Sequence, residues 1–225
     1  MALEKLKSEL GLNIQLAMPD ESTHKFIEYI KLANLKEFIA LLKKKRRTQT
    51  MLTFVQNTIT PLMISIGDAW TRDEIDIHHE HLCTAYIERY LQAEILNFQP
   101  KKGLPVILFA LPPGEHHLLG LLMAEAVLVE NGAVTINIGS DIPLNNLKLA
   151  AISCKVDVVA LSFSFAHPAR DVLPTLLHFR RLLPPQIQIW AGGAGISVIR
   201  KKPKGVKMIY DFNEAVIALN DIPFH

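Results

Sequence analysis

Val106-Ile107-Leu108-Phe109-Ala110-Leu111-Pro112-Pro113-Gly114-Glu115-His116-His117-Leu118-Leu119-Gly120 is the stretch on which the fold turns. Residues 106–111 form an unbroken apolar run that Pro-Pro-Gly cuts short. A run this brief reads as a strand buried on both faces. Residues 118–130 then take up a helical pattern closed by Gly132. The unit recurs downstream: a strand at 133–138, a helix at 143–153, a strand at 157–161, and a helix at 168–183 stopped by Pro184-Pro185. A strand at 187–191, a weak fifth at 206–210 and a helix at 213–220 complete the series. Alternating strands and helices imply right-handed crossovers and a five-stranded parallel, doubly wound sheet. A ligand on such a sheet sits beyond the C-terminal ends of the strands.

Upstream the period is helical. Leu35, Phe38, Ile39 and Leu42 fall at i, i+3, i+4 and i+7, one face of a helix. Leu52, Val55, Ile59, Leu62 and Ile66 make a longer helix in which Pro61 predicts a kink. Leu82, Tyr86, Tyr90 and Ala93 share a stripe on a third. Thr71-Arg72-Asp73-Glu74 has the spacing of a capping box, so one helix should end near Trp70 and the next begin near Asp73. Four or five helices across roughly 20–98 predict a small bundle. The expected division is a helical domain at 1–99 and an α/β domain at 104–225, joined through Pro100-Lys101-Lys102-Gly103; residues 1–20 have no assignable role.

Composition excludes several classes. With 225 residues and 49% hydrophobic content, the chain can bury a core without disulfides or structural zinc. Lys+Arg number 24 and Asp+Glu 22, so the net charge of +2 gives no electrostatic case for direct nucleic-acid binding. Two basic stretches have local readings. Lys43-Lys44-Lys45-Arg46-Arg47 ends a helix and complements its dipole, and Arg200-Lys201-Lys202-Pro203-Lys204 reads as a solvated loop. No apolar run approaches about 18 residues, and the start, Met1-Ala2-Leu3-Glu4-Lys5-Leu6-Lys7, is not a signal peptide. Two cysteines, at 83 and 154, form no pattern, which predicts a cytoplasmic protein that meets no membrane. Nine histidines are the unusual feature.

Each strand end carries a suggestive loop. Glu115-x-His117-x-x-Gly120 follows the first strand, Ser162-Phe163-Ser164 the third and Gly192-Gly193 the fourth. Between these motifs lie 41 residues (121–161) and 27 residues (165–191). Three short motifs at these separations resemble cobalamin-binding Rossmann domains. The resemblance implies that His117 is the lower cobalt ligand, replacing the cofactor's own dimethylbenzimidazole. Glu115 would accept the other ring N–H, and Gly120, Ser162, Gly192 and Gly193 would line a slot for the nucleotide tail. The chemistry is sound: a loop imidazole can offer a neutral nitrogen to a metal while a carboxylate fixes its tautomer. Two departures stand out. Glu115 replaces the usual Asp, one methylene longer, which predicts a looser bond to His117. Ser164 replaces the usual Leu and puts a hydroxyl by the nucleotide slot. Taken singly, a loop His is a surface residue and a Gly-Gly a turn; His167, in the loop after the third strand, reads as solvent-exposed.

Trp70, nine residues, then Glu80-His81 resembles the signature of the helical domain in CarH-type (LitR-type) photoreceptors, which sense light through adenosylcobalamin. The resemblance implies a bundle capping the upper face of the cofactor, with Trp70 against the adenosyl group and Glu80 and His81 at its polar edge. Ile77, His81 and Thr84 share a helix face bordered by Glu80, suited to an apolar ligand with a few polar anchors. The competing readings are a core Trp beside a solvated His run, and a zinc site from His78 and His81 that finds no third ligand. Thr71 stands where some such photoreceptors have a second cobalt-binding His. About 20 residues precede the first clear helix, too few for the DNA-binding head those repressors carry.

The expectation is therefore a stand-alone, non-enzymatic cobalamin sensor of transcription-regulating lineage. It would be a photoreceptor using adenosylcobalamin and signalling through a regulatory protein partner or a change of homo-oligomer. The alternative is a corrinoid shuttle of a methyltransferase system, for which methylcobalamin would be the form; hydroxocobalamin is open to both. A third reading is an antirepressor or storage module without photochemistry.

Overall fold

The computed structural model describes residues 21–98 and 104–222. The chain divides into two compact units between Glu94 and Ile95. Among the described residues no helix is long and apolar enough to cross a membrane. Residues 1–20 lie outside the described part, as does the predicted linker at 100–103.

The first unit is helical. Helices α1 (Glu21–Lys31) and α2 (Leu35–Arg46) pack through Phe26 and Phe38, whose rings meet edge-on at 5.2 Å. Asn34 caps α2 by accepting the Glu37 N–H, and four basic residues in its last turn complement the dipole. A long helical run follows: α3 (Met51–Phe54), a π-helical turn (Val55–Ile59) and α4 (Thr60–Thr71). Pro61 has no N–H to give, and the chain answers with the widened turn just before it, in which the Thr60 N–H reaches back five residues to the Val55 carbonyl. Buried Phe54, Ile59, Leu62 and Ile66 keep one stripe inward along the whole run, worth about 2 kcal/mol each against exposure. Helix α5 (Ile77–Asn97) buries Cys83, Ile87, Tyr90 and Leu91, with Tyr90 edge-on to Phe54 at 5.9 Å.

The expected helix start near Asp73 is corrected. Thr71-Arg72-Asp73-Glu74 closes α4 instead of opening α5: the Asp73 N–H donates to the Trp70 carbonyl, the Glu74 N–H to Ala69, and Asp73 takes φ +56°. The Thr71 hydroxyl turns back to the Asp68 carbonyl at 2.8 Å, away from any role as an N-cap. Helix α5 starts at Ile77, where the His79 ring takes the Asp76 N–H at 3.1 Å, the service Glu performs in a capping box.

The second unit alternates β1 (Val106–Ala110), α6 (Leu119–Glu130), β2 (Val134–Asn137), α7 (Leu144–Ser153), β3 (Val158–Ser162), α8 (Ala169–Leu182), β4 (Gln188–Gly192), β5 (Lys207–Met208) and α9 (Phe212–Asn220). All pairings are parallel and the order is β2-β1-β3-β4-β5. Alternation of side chains builds a core on each face. Leu108, Val159, Leu161 and Ile189 pack under α7 and α8 residues, while Ile107, Phe109, Val158 and Trp190 face those of α6 and α9. The expected fifth strand survives as two residues. The chain leaves β1 toward β2 on one side and enters β3 on the other, so the order reverses between β1 and β3. Doubly wound sheets open their ligand crevice at such a switch point.

Candidate functional site

The switch point is built by the loops after β1 and β3. Leaving β1, the Leu111 N–H bonds the Gly139 carbonyl beyond β2, and the Glu115 N–H closes a turn on Pro112. These bonds swing the Glu115 side chain inward, where it is 1% exposed. A lone buried carboxylate would be costly, and here it is heavily paired. Its Oε1 accepts the backbone N–H of His116 at 2.9 Å and of His117 at 2.8 Å, and lies 2.8 Å from His117 Nδ1. Its Oε2 accepts the Ser164 N–H from the β3 loop at 2.8 Å. Burial pushes the carboxyl pKa up, but the His117 and Ser164 N–H groups, with the His117 ring and the Ser164 side chain, outweigh it and hold the pKa down at about 2. Glu115 is thus ionised across the physiological range and ties two loops from opposite sides of the switch point.

The effect falls on His117. Its side chain is 61% exposed although the carboxylate beneath it is buried. With Nδ1 on an ionised acceptor, the neutral ring carries its proton there and leaves the Nε2 lone pair free. The extra methylene of Glu115 does not loosen this bond; at 2.8 Å it is short. Ser164 is placed differently from expectation. Its hydroxyl lies 3.0 Å from His117 Nδ1 and accepts the Ala166 N–H at 3.2 Å, so it belongs to the imidazole's support.

Gly120, Ser162, Gly192 and Gly193 gather at the same end of the sheet. Ser162 and Gly192 are register partners, and a Cβ on Gly120 would come 3.6 Å from Ser162 Oγ, an ordinary contact. Gly193 has no such latitude: at φ +85°, its Cβ would lie 2.4 Å from the Phe163 carbonyl oxygen. Gly195 was not singled out by the sequence reading, yet its Cβ would meet the Ser164 carbonyl at 2.5 Å, and its N–H donates to Phe163 at 2.8 Å. The spacing Gly193-Ala194-Gly195 after a strand was the available signal. These glycines let the β4 loop close on the β3 loop.

His167 is a correction. Expected in solvent, its side chain is 3% exposed, edge-on to Phe163 at 5.2 Å, with neither ring nitrogen hydrogen-bonded. An unpaired buried polar group costs about 1–3 kcal/mol.

The candidates of the helical unit are presented, not interlocked. Trp70 is 46% exposed at the end of α4, and Ile77 45% at the start of α5. Glu80 accepts the Thr84 hydroxyl at 3.0 Å and pairs with His81 Nδ1 at 2.6 Å, while the His81 ring is 73% exposed. A Trp exposed to this extent argues against the core reading of Trp70. The zinc alternative gains a third donor from Asp76, which lies with His78 and His79, not His81, within 4.8 Å. His79 Nδ1 is already taken by the Asp76 N–H and its ring stacks on His78 at 3.9 Å, an arrangement of capping, not chelation.

The geometry can test a metal cofactor on this chain's own atoms. A neutral imidazole with one nitrogen fixed and the other open, on a loop at a sheet's switch point, fits a metal that takes a single protein nitrogen. Three extra protein ligands, as structural zinc requires, are missing from its surroundings among the described residues.

Residues 24–93 match the family model of the B12 binding domain. Over 136 residues the chain is 29% identical to the HTH-type transcriptional repressor CarH of Myxococcus xanthus, covering 60% of this chain and 45% of that one. It is 32% identical over 121 residues to the repressor CarA of the same organism, covering 54% and 42%. The matches thus span less than half the length of these curated relatives. Among solved structures, the monomethylamine corrinoid protein of Methanosarcina barkeri superposes with a TM-score of 0.63 at 18% identity, over 88% of this chain and 97% of that one. The chain is thus similar to a B12 binding domain over residues 24–93 and, over part of its length, to the repressors CarH and CarA.

Proposed function

We propose that the protein is a cobalamin-dependent sensor, reading light through adenosylcobalamin and signalling by a change of oligomer or of protein partner. The observation that carries the cobalamin site is the Glu115–His117 pair, with an ionised buried carboxylate on Nδ1 and an open Nε2. His117 serves as the lower cobalt ligand, Glu115 and Ser164 orient it, and Gly120, Ser162, Gly192 and Gly193 border the nucleotide tail. Bound cobalamin supplies a weak cobalt–carbon bond that light can break. Trp70, Ile77, Glu80 and His81 would hold the cofactor's adenosyl group and make the helical domain responsive to its loss. The likeness to CarH over the matched region and the exposed Trp70 support the sensor reading. Thr71, whose hydroxyl donates to the Asp68 carbonyl, offers no imidazole, so His81 would be the side chain available as a second nitrogen ligand. No residue is assigned a catalytic role.

The experiment is the visible spectrum of adenosylcobalamin-loaded protein in the dark and under green light, with size exclusion before and after. A spectral change accompanied by a change in mass is expected. No response of either kind removes the light reading and leaves the cobalamin site standing. A second reading is a corrinoid carrier of methyl groups, with which the fold shared with the monomethylamine corrinoid protein is equally compatible. Preference for methylcobalamin over adenosylcobalamin would select it.

A further inference from the structure

The buried imidazole of His167 is not explained by packing. Buried side-chain nitrogens are almost always hydrogen-bonded, yet neither nitrogen of His167 is, and the ring is enclosed. Oε2 of Glu115 lies 3.8 Å from His167 Nδ1. That oxygen accepts one N–H, from Ser164, and a carboxylate oxygen has room for a second. The other oxygen is fully engaged by the His116 and His117 backbone and the His117 ring. The free acceptor position and the orphaned donor therefore belong to the same carboxylate. Closing the gap to a hydrogen bond takes a movement of about 1 Å.

We infer that His167 is a positioning residue for His117, acting through Glu115. Its Nδ1–H closes on Oε2, so that one buried carboxylate is held between two imidazoles, one facing the ligand and one in the core. The consequence is orientational. Oε2 is fixed by Ser164 and His167, which fixes Oε1, which fixes the His117 ring. The His167 N–H to Ser164 carbonyl bond at 3.2 Å and the Phe163 ring hold His167 in place. This inference rests on the reading of His117 as the cobalt ligand.

The first test needs no cofactor. A long-range ¹H–¹⁵N spectrum of the apoprotein's imidazoles at neutral pH should show His167 protonated at Nδ1. A bare Nδ1 with the proton on Nε2 overturns the inference, whatever the variants do. The second test uses hydroxocobalamin on His167→Phe, which fills the volume without the nitrogens, and His167→Asn, which restores an N–H near Nδ1. The phenylalanine variant should bind about 10–100-fold more weakly, with part of the His-ligated spectrum lost, as when partners of metal-bound histidines are removed. The asparagine variant should recover most of the affinity at an unchanged apoprotein melting temperature. Equal behaviour of the two variants, or wild-type affinity in the phenylalanine variant, overturns it. Should the phenylalanine variant not fold, the wild-type tautomer decides. Wild-type protein that binds hydroxocobalamin without a His-ligated spectrum refutes the His117 assignment instead, an outcome the apoprotein spectrum keeps separate.

Discussion

The loops of the sheet unit and the exposed ends of helices α4 and α5 carry two separate sets of candidate residues, and they are made in opposite ways. Around Glu115 every candidate is locked to another by backbone bonds: four N–H or ring contacts converge on one buried carboxylate, and glycines let the β4 loop press on the β3 loop. Trp70 and Ile77 are open side chains, and the exposed His81 ring pairs with Glu80 at 2.6 Å. A ligand group that must meet a fixed atom needs preorganisation, whereas a surface that reports on a ligand's presence must be free to lose it. In the proposed function the locked set would hold the metal and the open set would answer to the ligand's presence.

The locked half should break most sharply at Gly193. Gly193→Ala places a methyl group 2.4 Å from the Phe163 carbonyl at a backbone angle that disfavours any Cβ. We expect a loss of about 3 kcal/mol or more in unfolding free energy by denaturant titration. Gly120→Ala, whose Cβ finds ordinary contact at 3.6 Å, should stay within about 1 kcal/mol. Similar costs for the two would show that the β3–β4 loop contact is not what locks this end.

The ligand itself comes next. His117→Ala should fold normally, because the ring is mostly exposed. It should bind hydroxocobalamin about 100-fold more weakly, at least the loss seen when partners of a metal-bound His are removed, and lose the His-ligated spectrum. Retention of that spectrum would transfer the role to a neighbour, His116 first.

How far the sequence showed this can be followed in particular residues. The strand–loop–helix alternation and the motif spacings were readable because they depend on period and counting, which the chain displays directly. The Glu115–His117 pair was readable because two residues in one tight loop cannot be far apart. His167 was not, since a His before a Pro looks like an exposed loop residue until the β1 loop is known to cover it. Thr71-Arg72-Asp73-Glu74 misled because capping spacing says nothing about whether a hydroxyl turns forward to the next helix or back to its own. Gly195 was missed because its reason is a carbonyl from another loop.

The open half should respond more gently and selectively. Trp70→Ala removes an exposed ring and leaves no large cavity, so the melting temperature should barely move. Adenosylcobalamin should bind about 10-fold more weakly, the loss of one large aromatic contact, while hydroxocobalamin binding changes little. Equal weakening of both forms would mean that Trp70 contacts something other than the upper ligand.

The smallest effect tests whether the locked half owes its order to the Glu115 knot alone. Glu125, on the helix that leaves the His117 loop, is a second buried carboxylate; its Oε2 accepts the Asn137 side-chain N–H at 2.6 Å. Here burial wins: it raises the carboxyl pKa against the opposing hydrogen bonds from Asn137 and Thr135. A raised folded-state pKa means that the protonated form is favoured by folding. Its contribution is present below the ordinary value of 4.5 and is lost as pH rises through the folded value, so at neutral pH the charge is a burden. Glu125→Gln keeps the oxygen that Asn137 needs and removes the charge. Its melting temperature should exceed wild type at pH 7 by about 2 °C, the scale of a small stability change in a chain of this length, and the gain should vanish toward pH 4. A gain independent of pH would place the effect in packing, and a loss at pH 7 would show Glu125 to be paired as firmly as Glu115.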